Sequence, residues 1–300
     1  MIDDIFVFDC VIHVYDLSDA NTLGSLEARA GRDSMLAIGG ALRWPGYHGE
    51  GQRFDKRWSI EEIYEMVFVA APTDMAMAQV VPIFDWFEDF FAPVAAQHAM
   101  AERYPERVLF CGGADPVYRG LADALEQIDH QVRELGVKVL QFHKGLPFGL
   151  QPLGPLSPLD LERPARDFPD MTFVIHHLAE PFFDEAVSLG SRYPNVYLAL
   201  SGNLNLAPIA PRLVQERLGR LLMEVGVHKL LWGSEAALAG GPAPYLRAFM
   251  ELEIPEDLRR GYGYPQVTRE DKELILGRNF ARLMGIDLDA KRAELGAHAA

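Results

Sequence analysis

Seven short apolar runs recur along the 300-residue chain, each followed by a longer segment of helical character. They are residues 5–13, 74–81, 107–114, 137–143, 172–177, 195–201 and 229–235. Each run is continuously apolar rather than alternating, which is how strands buried on both faces read. Helical spacing predicts helices over 58–69, 85–105, 117–136, near 211–226 and near 270–285. Ser59 followed by Glu62 has the spacing of a capping box, and Gly136, Gly226 and Gly285 stand where helices stop. Strands alternating with helices predict a parallel sheet. The length suits one (β/α)8 TIM-type barrel spanning residues 1–300. An eighth strand is then expected among the unassigned segments. The open doubly wound sheet is the rival, and its glycine-rich phosphate turn is missing after the first strand, which ends in HVYDLS.

Residues 14–57 form a long connection, expected to be a loop or lid, and 286–300 form a tail expected to fray. Trp44, Tyr47, His48 and Trp58 either line that lid or simply pack it down. Asp and Glu number 43 against 28 Lys and Arg, a formal charge of −15. Such a chain repels phosphate backbones and anionic lipid, so neither nucleic acid nor membrane is an expected partner. No run approaches the ~20 apolar residues of a membrane span. The acidic opening MIDDIF lacks the basic region of a signal peptide, and a cytoplasmic location is expected. Cys10 and Cys111 sit inside strand candidates and read as buried thiols, not as the framework of a secreted protein.

In a barrel, chemistry gathers where strands end. The first run ends in His13, the fourth in His143, the fifth in His176 and His177, and the last in Glu235. Imidazole nitrogens and carboxylate oxygens are what a divalent first-row metal binds. Each residue alone has a plainer role: a hydrogen-bonded core histidine, or an acid capping a helix. Four of nine histidines at strand ends favour a metal site over those roles. His176 and His177 face opposite sides of a regular strand, and spacing does not choose between them.

In this order, FDCVIHVYD, AERYPERVLFCGGADP, TFVIHHLAEP, LLWGSE and KELILGRNFARLMGI resemble the motifs of the amidohydrolase superfamily. The likeness is to its second large branch, amidohydrolase-2, which includes metal-dependent decarboxylases, and it extends over nearly the whole chain. The resemblance implies a single divalent metal, zinc foremost and manganese or iron next. It implies ligands at His13, His143, His177 and Glu235, and it selects His177 over His176. It gives His177 acid and base work, Glu180 the orienting of that histidine, and Glu235 metal binding and activation of water.

Three departures stand out. Val11 occupies a position where the family has a ligand, Glu235 replaces an aspartate, and Ala179 replaces a glycine. Asp9 lies deeper on the first strand, where an anchoring role is expected. Lys138 and Lys144 are each an odd number of residues from His143, so a lysine-bridged metal pair is not expected. The implied function is a hydrolase or decarboxylase acting on a small organic acid or amide. The alternatives are an oxygen-using metalloenzyme on the same barrel, or a degenerate subunit paired with an active paralogue. A homo-oligomer, or a hetero-oligomer with that paralogue, is expected. The aromatic run PIFDWFEDFFAPV is a candidate for its interface.

Overall fold

The computed structural model describes residues 1–42, 53–83, 85–142 and 144–298, with backbone alone at 297 and 298. His143, Trp44, Tyr47 and His48 lie outside the described residues. Seven strands form: β1 (Phe8–Ile12), β2 (Met75–Gln79), β3 (Val108–Gly113), β4 (Leu140–Gln141), β5 (Phe173–Ile175), β6 (Val196–Ala199) and β7 (Leu230–Leu231). Each lies inside one of the seven apolar runs. All ladders are parallel and join neighbours in chain order, as β1-β2-β3-β4 and β5-β6-β7. The stretch after β7 closes back onto β1. Cys10 N donates to Trp232 O at 3.0 Å, Glu235 N to Val11 O at 3.2 Å, and His13 N to Ala236 O at 2.8 Å. The fold is of the TIM type; among the described residues there is no eighth laddered strand.

Around the strands run α1 (Leu26–Leu42), α2 (Ile60–Tyr64), α3 (Val94–Arg103), α4 (Leu121–Arg133), α5 (Glu162–Asp167), α6 (Phe183–Arg192) and α7 (Pro211–Glu224). They are followed by α8 (Ala243–Glu251), α9 (Glu256–Tyr262), α10 (Arg269–Glu273), α11 (Asn279–Met284) and α12 (Leu288–His298). The Ser59–Glu62 capping box forms: Ser59 Oγ accepts from Glu62 N at 3.1 Å, and Glu62 Oε2 accepts from Ser59 N at 3.0 Å. Cys10 and Cys111 are buried free thiols in β1 and β3. Among the described residues no helix is long and apolar enough to cross a membrane.

Three expectations need correction. The connection after β1 is not all loop, since α1 fills seventeen residues of it. Its buried positions are Ala28, Gly31, Met35 and Gly39. A side chain at Gly31 would meet the Trp86 ring at 2.5 Å, and one at Gly39 would meet Leu238 O at 2.5 Å. Glycine, usually a helix breaker, is here what lets the helix lie against the core. The tail from Leu288 is helical where fraying was expected.

The helix expected over 85–105 begins only at Val94, after Pro93. The aromatics before it are packed inside the chain: Trp86, Phe87, Phe90 and Phe91 are each at most 5% exposed. The described aromatics of that run thus face inward rather than outward. Trp58, 3% exposed, also packs inward.

Candidate metal centre

His13 leaves β1 where the β1–β2 register slips, between Asp9 and Ile12. A slip of this kind re-aims the side chains beside it. Its Nδ1 stands 2.7 Å from the Gln79 carbonyl oxygen at the end of β2, so Nδ1 carries the proton. Nε2 then offers its lone pair, 3.7 Å from Glu235 Oε2. An imidazole oriented by a carbonyl in this way is the usual form of a metal-binding histidine.

His177 follows β5 in a left-handed turn, with φ of 55° at His177, 52° at Leu178 and 53° at Ala179. Its Nδ1 lies 3.3 Å from Ser201 O and 3.8 Å from Glu235 Oε1. Asn203 Nδ2 donates to the His177 carbonyl at 3.0 Å and holds the turn. Glu235 itself has φ of 60°, after a segment that only glycine can begin. A Cβ at Gly233 would meet Val11 Cγ2 at 2.9 Å and Ser201 Cβ at 3.0 Å. Val11 thus fills the space beside the Glu235 strand with a methyl group.

Electrostatics favour neutral imidazoles. Burial lowers the His13 pKa, with Glu235 opposing, and pushes His177 down to about 4. The approaches to Glu235 are therefore not ion pairs, and both exceed hydrogen-bond length. Burial raises the Glu235 pKa, opposed by His13, Ser201 and Tyr15. Tyr15 OH reaches Glu235 Oε2 at 3.5 Å, while Glu235 Oε1 is buried without a hydrogen bond. Among the described residues no Lys or Arg pairs with this carboxylate. A buried carboxylate oxygen without a donor, between two neutral imidazoles, suits a divalent cation. Among the described residues no three His, Cys, Asp or Glu side chains already form a finished cage.

Glu180 forms an ion pair. Its Oε2 pairs with Arg217 Nη2 at 2.7 Å. Arg217 also donates to Asn203 Oδ1, and Asn203 holds the His177 carbonyl. The acid thus reaches the histidine through two intervening side chains. Lys144 donates to Pro155 O at 2.8 Å and pairs with Asp160, away from the cluster. Tyr15, Ser201, Asn203 and Arg217 were not singled out from the sequence. Tyr15, two residues past His13, and Ser201, the last residue of the sixth run, were the available signals.

Asp9 takes an anchoring place. Its Oδ1 accepts from Val11 N at 3.0 Å and Ser234 N at 2.9 Å, tying β1 to the Glu235 segment. Burial pushes its carboxyl up to about 7. Since the folded pKa exceeds the unfolded one, Asp9 contributes stability that is full below about pH 4. That contribution is lost as pH rises through about 7. Asp9→Asn keeps the acceptor and removes this dependence. In urea titrations of metal-free protein, the variant should gain on the wild type steadily across that window. A difference that stays constant with pH would contradict the buried acid. His177, depressed to about 4, has the opposite slope in both proteins and cancels in the comparison.

Comparison with known proteins fits this geometry. Residues 139–286 match the family model described as Amidohydrolase. No curated protein sequence matches the chain. Its structure is similar to an uncharacterised TIM-barrel protein from Bordetella bronchiseptica, at 18% identity and a TM-score of 0.61, covering 94% of this chain and 99% of that one. It is similar to a probable 2-pyrone-4,6-dicarboxylic acid hydrolase from Acinetobacter baumannii, at 14% identity and a TM-score of 0.54, covering 93% and 99%. It is also similar to an amidohydrolase from Burkholderia multivorans with bound zinc, at 13% identity and a TM-score of 0.51, covering 94% and 100%. The chain has a TIM-type barrel fold. The amidohydrolase resemblance read from its motifs is shown, with residues 139–286 as the matched part.

Proposed function

We propose that this chain is a metal-dependent hydrolase acting on a small organic acid or amide. The observation that carries the reading is Glu235, a buried carboxylate with one oxygen lacking a donor, facing two neutral imidazoles. His13 and Glu235 would hold the ion, with His143 as the further donor the family resemblance implies and His177 either a fourth ligand or the group that moves the proton. Lewis acidity toward a substrate oxygen is what a divalent ion would supply there.

The chain's own groups support the rest. Glu235, its pKa raised by burial, is poised to take a proton from water. His177, held neutral, is able to accept a proton and return it to a leaving group. The Tyr15 hydroxyl, donating to Glu235, fixes which carboxylate oxygen stays open. A small cleft at the ends of β2, β3 and β4 is lined by Ile83, Asp115, Tyr118, Lys144 and Gln151, and none of His13, His177 and Glu235 lines it. Decarboxylation is the second reading, because the same buried His177 would serve to protonate carbon.

A panel of carboxylic acids, lactones and amides, assayed before and after chelation, tests the proposal. Chelation should lower turnover by at least ~100-fold, and added zinc or manganese should restore it. Carbon dioxide release would favour the second reading over hydrolysis. Turnover indifferent to chelation would overturn the metal-dependent mechanism altogether.

A further inference from the structure

Three consecutive residues that are not glycine, His177, Leu178 and Ala179, stand in the left-handed region, with φ of 55°, 52° and 53°. Side chains seldom adopt that region, and such a turn persists only where its surroundings hold it. A ring of contacts holds this one. Glu180 N donates to the His177 carbonyl at 3.1 Å from within the turn. Asn203 Nδ2 donates to the same carbonyl at 3.0 Å, from the stretch after β6. Arg217, on α7, donates to Asn203 Oδ1 through Nη1, and its Nη2 pairs with Glu180 Oε2 at 2.7 Å. The contacts thus run from His177 along the turn to Glu180, across Arg217 to Asn203, and back to His177.

The guanidinium closes this ring because it carries donors and no acceptor. It draws the Asn203 amide oxygen to itself, which leaves the amide nitrogen facing the His177 carbonyl. With the amide turned over, oxygen would face oxygen. Two nitrogens of one planar fork answer two acceptors at once, which a single ammonium does not do. The Arg217 side chain is only 20% exposed and lies over the Phe183 ring, 5.4 Å from its centre. The same stretch after β6 also reaches the acid. Asn205 Nδ2 donates to Ser234 O at 2.7 Å, one residue before Glu235, and Asn205 Oδ1 accepts from Gly202 N at 3.1 Å. Ser201 O stands 3.3 Å from His177 Nδ1. Residues 201–205 therefore grip both the His177 turn and the Glu235 segment.

We propose that Arg217 is a positioning residue, which holds the His177 turn through Asn203 and so fixes the imidazole against the Glu235 carboxylate. It stands outside that pair and acts on it through the amide. Loss of the guanidinium frees the Asn203 amide to rotate and the turn to relax out of the left-handed region. His177 Nδ1 would then leave its 3.8 Å approach to Glu235 Oε1. The chemical use of the pair rests on the function proposed above, whereas the hold on the turn does not.

Hydrogen exchange read by mass spectrometry on the whole, metal-free chain tests the hold. In Arg217→Met, exchange over residues 176–182 should quicken by at least ~tenfold, the scale of one hydrogen bond to a charged group. Exchange over β1 and the circular dichroism melt should stay close to the wild type. Arg217→Lys, whose ammonium answers one acceptor rather than two, should fall between them. Asn203→Leu should quicken the same segment, and the double variant with Arg217→Met no further, because the two residues act in series. The His177 Cε1–H proton resonance, identified by its loss in His177→Gln, should move in Arg217→Met while that of His13 stays. Unchanged exchange over 176–182 in Arg217→Met would overturn the proposal. So would additive effects in the double variant, or a His177 resonance that does not move. Quickening spread over α7 and the whole chain would also overturn it, by making Arg217 a structural residue of that helix. A chain that binds no metal would overturn the proposed function and alter none of these readings.

Discussion

Glu235→Gln is expected to lower turnover by about a thousandfold while leaving the fold intact. The loss follows from what the carboxylate does in this geometry. It is the only acid facing both His13 Nε2 and His177 Nδ1, at 3.7 and 3.8 Å, among the described residues. An amide keeps the size and the Tyr15 contact but loses the charge that would hold a cation and the basicity that would accept a proton. Stability should move the other way. Burial raises the Glu235 pKa, so the ionised acid costs folding free energy in the absence of metal. The glutamine variant should therefore melt no lower than the wild type when both are metal-free. Loss of activity together with a lower melting temperature would mean that Glu235 is a structural residue.

Gly277→Ala is expected to destabilise the protein by about 3 kcal/mol, measured by urea unfolding. Gly277 is buried in the π-type turn between α10 and α11, and a Cβ there would run into the Phe6 carbonyl oxygen. Backbone has no rotamer by which to move aside. Phe6 leads through Val7 into β1, which carries Asp9 and ends at Ile12, just before His13. The same turn also receives the end of the sheet, through Trp232 N donating to Ile275 O at 3.0 Å. Activity should fall with the shift, because the strand that presents His13 would have to move. A Gly277→Ala variant as stable as the wild type would show that the turn yields more easily than its contacts imply.

The strands were legible because burial on both faces leaves an unmistakable apolar run, and all seven runs hold a strand. The Ser59–Glu62 cap was legible because its two hydrogen bonds are local. What was not legible depended on partners distant in sequence. Helix α1 reads as loop because its buried stripe is built around Gly31 and Gly39, which make sense only against Trp86 and Leu238. The stretch before α3 reads as helix because aromatics at helical spacing look the same whether they ride a helix or fill a core as irregular chain. At the candidate site, residue types at strand ends pointed to His13, His143, Glu235 and one of His176 and His177, with the family resemblance selecting His177; the structure brings His13, His177 and Glu235 together, and His143 lies outside the described residues. Glu180 was read from its position in a motif, whereas its carboxylate is taken by Arg217, an interaction 37 residues away in the chain. Ser201 and Asn203 join the cluster through folding and lie in no quoted motif, whereas Tyr15 lies within FDCVIHVYD, beside His13.

The most direct test of the account is the metal content of the purified chain after metal-replete expression. Elemental analysis should find about one divalent ion per chain in the wild type, as expected for a single-ion site. Content should fall well below that in His13→Ala and in Glu235→Ala, with both variants still folded. A wild-type chain that holds no metal under those conditions would contradict the account. So would metal retained in full by both variants.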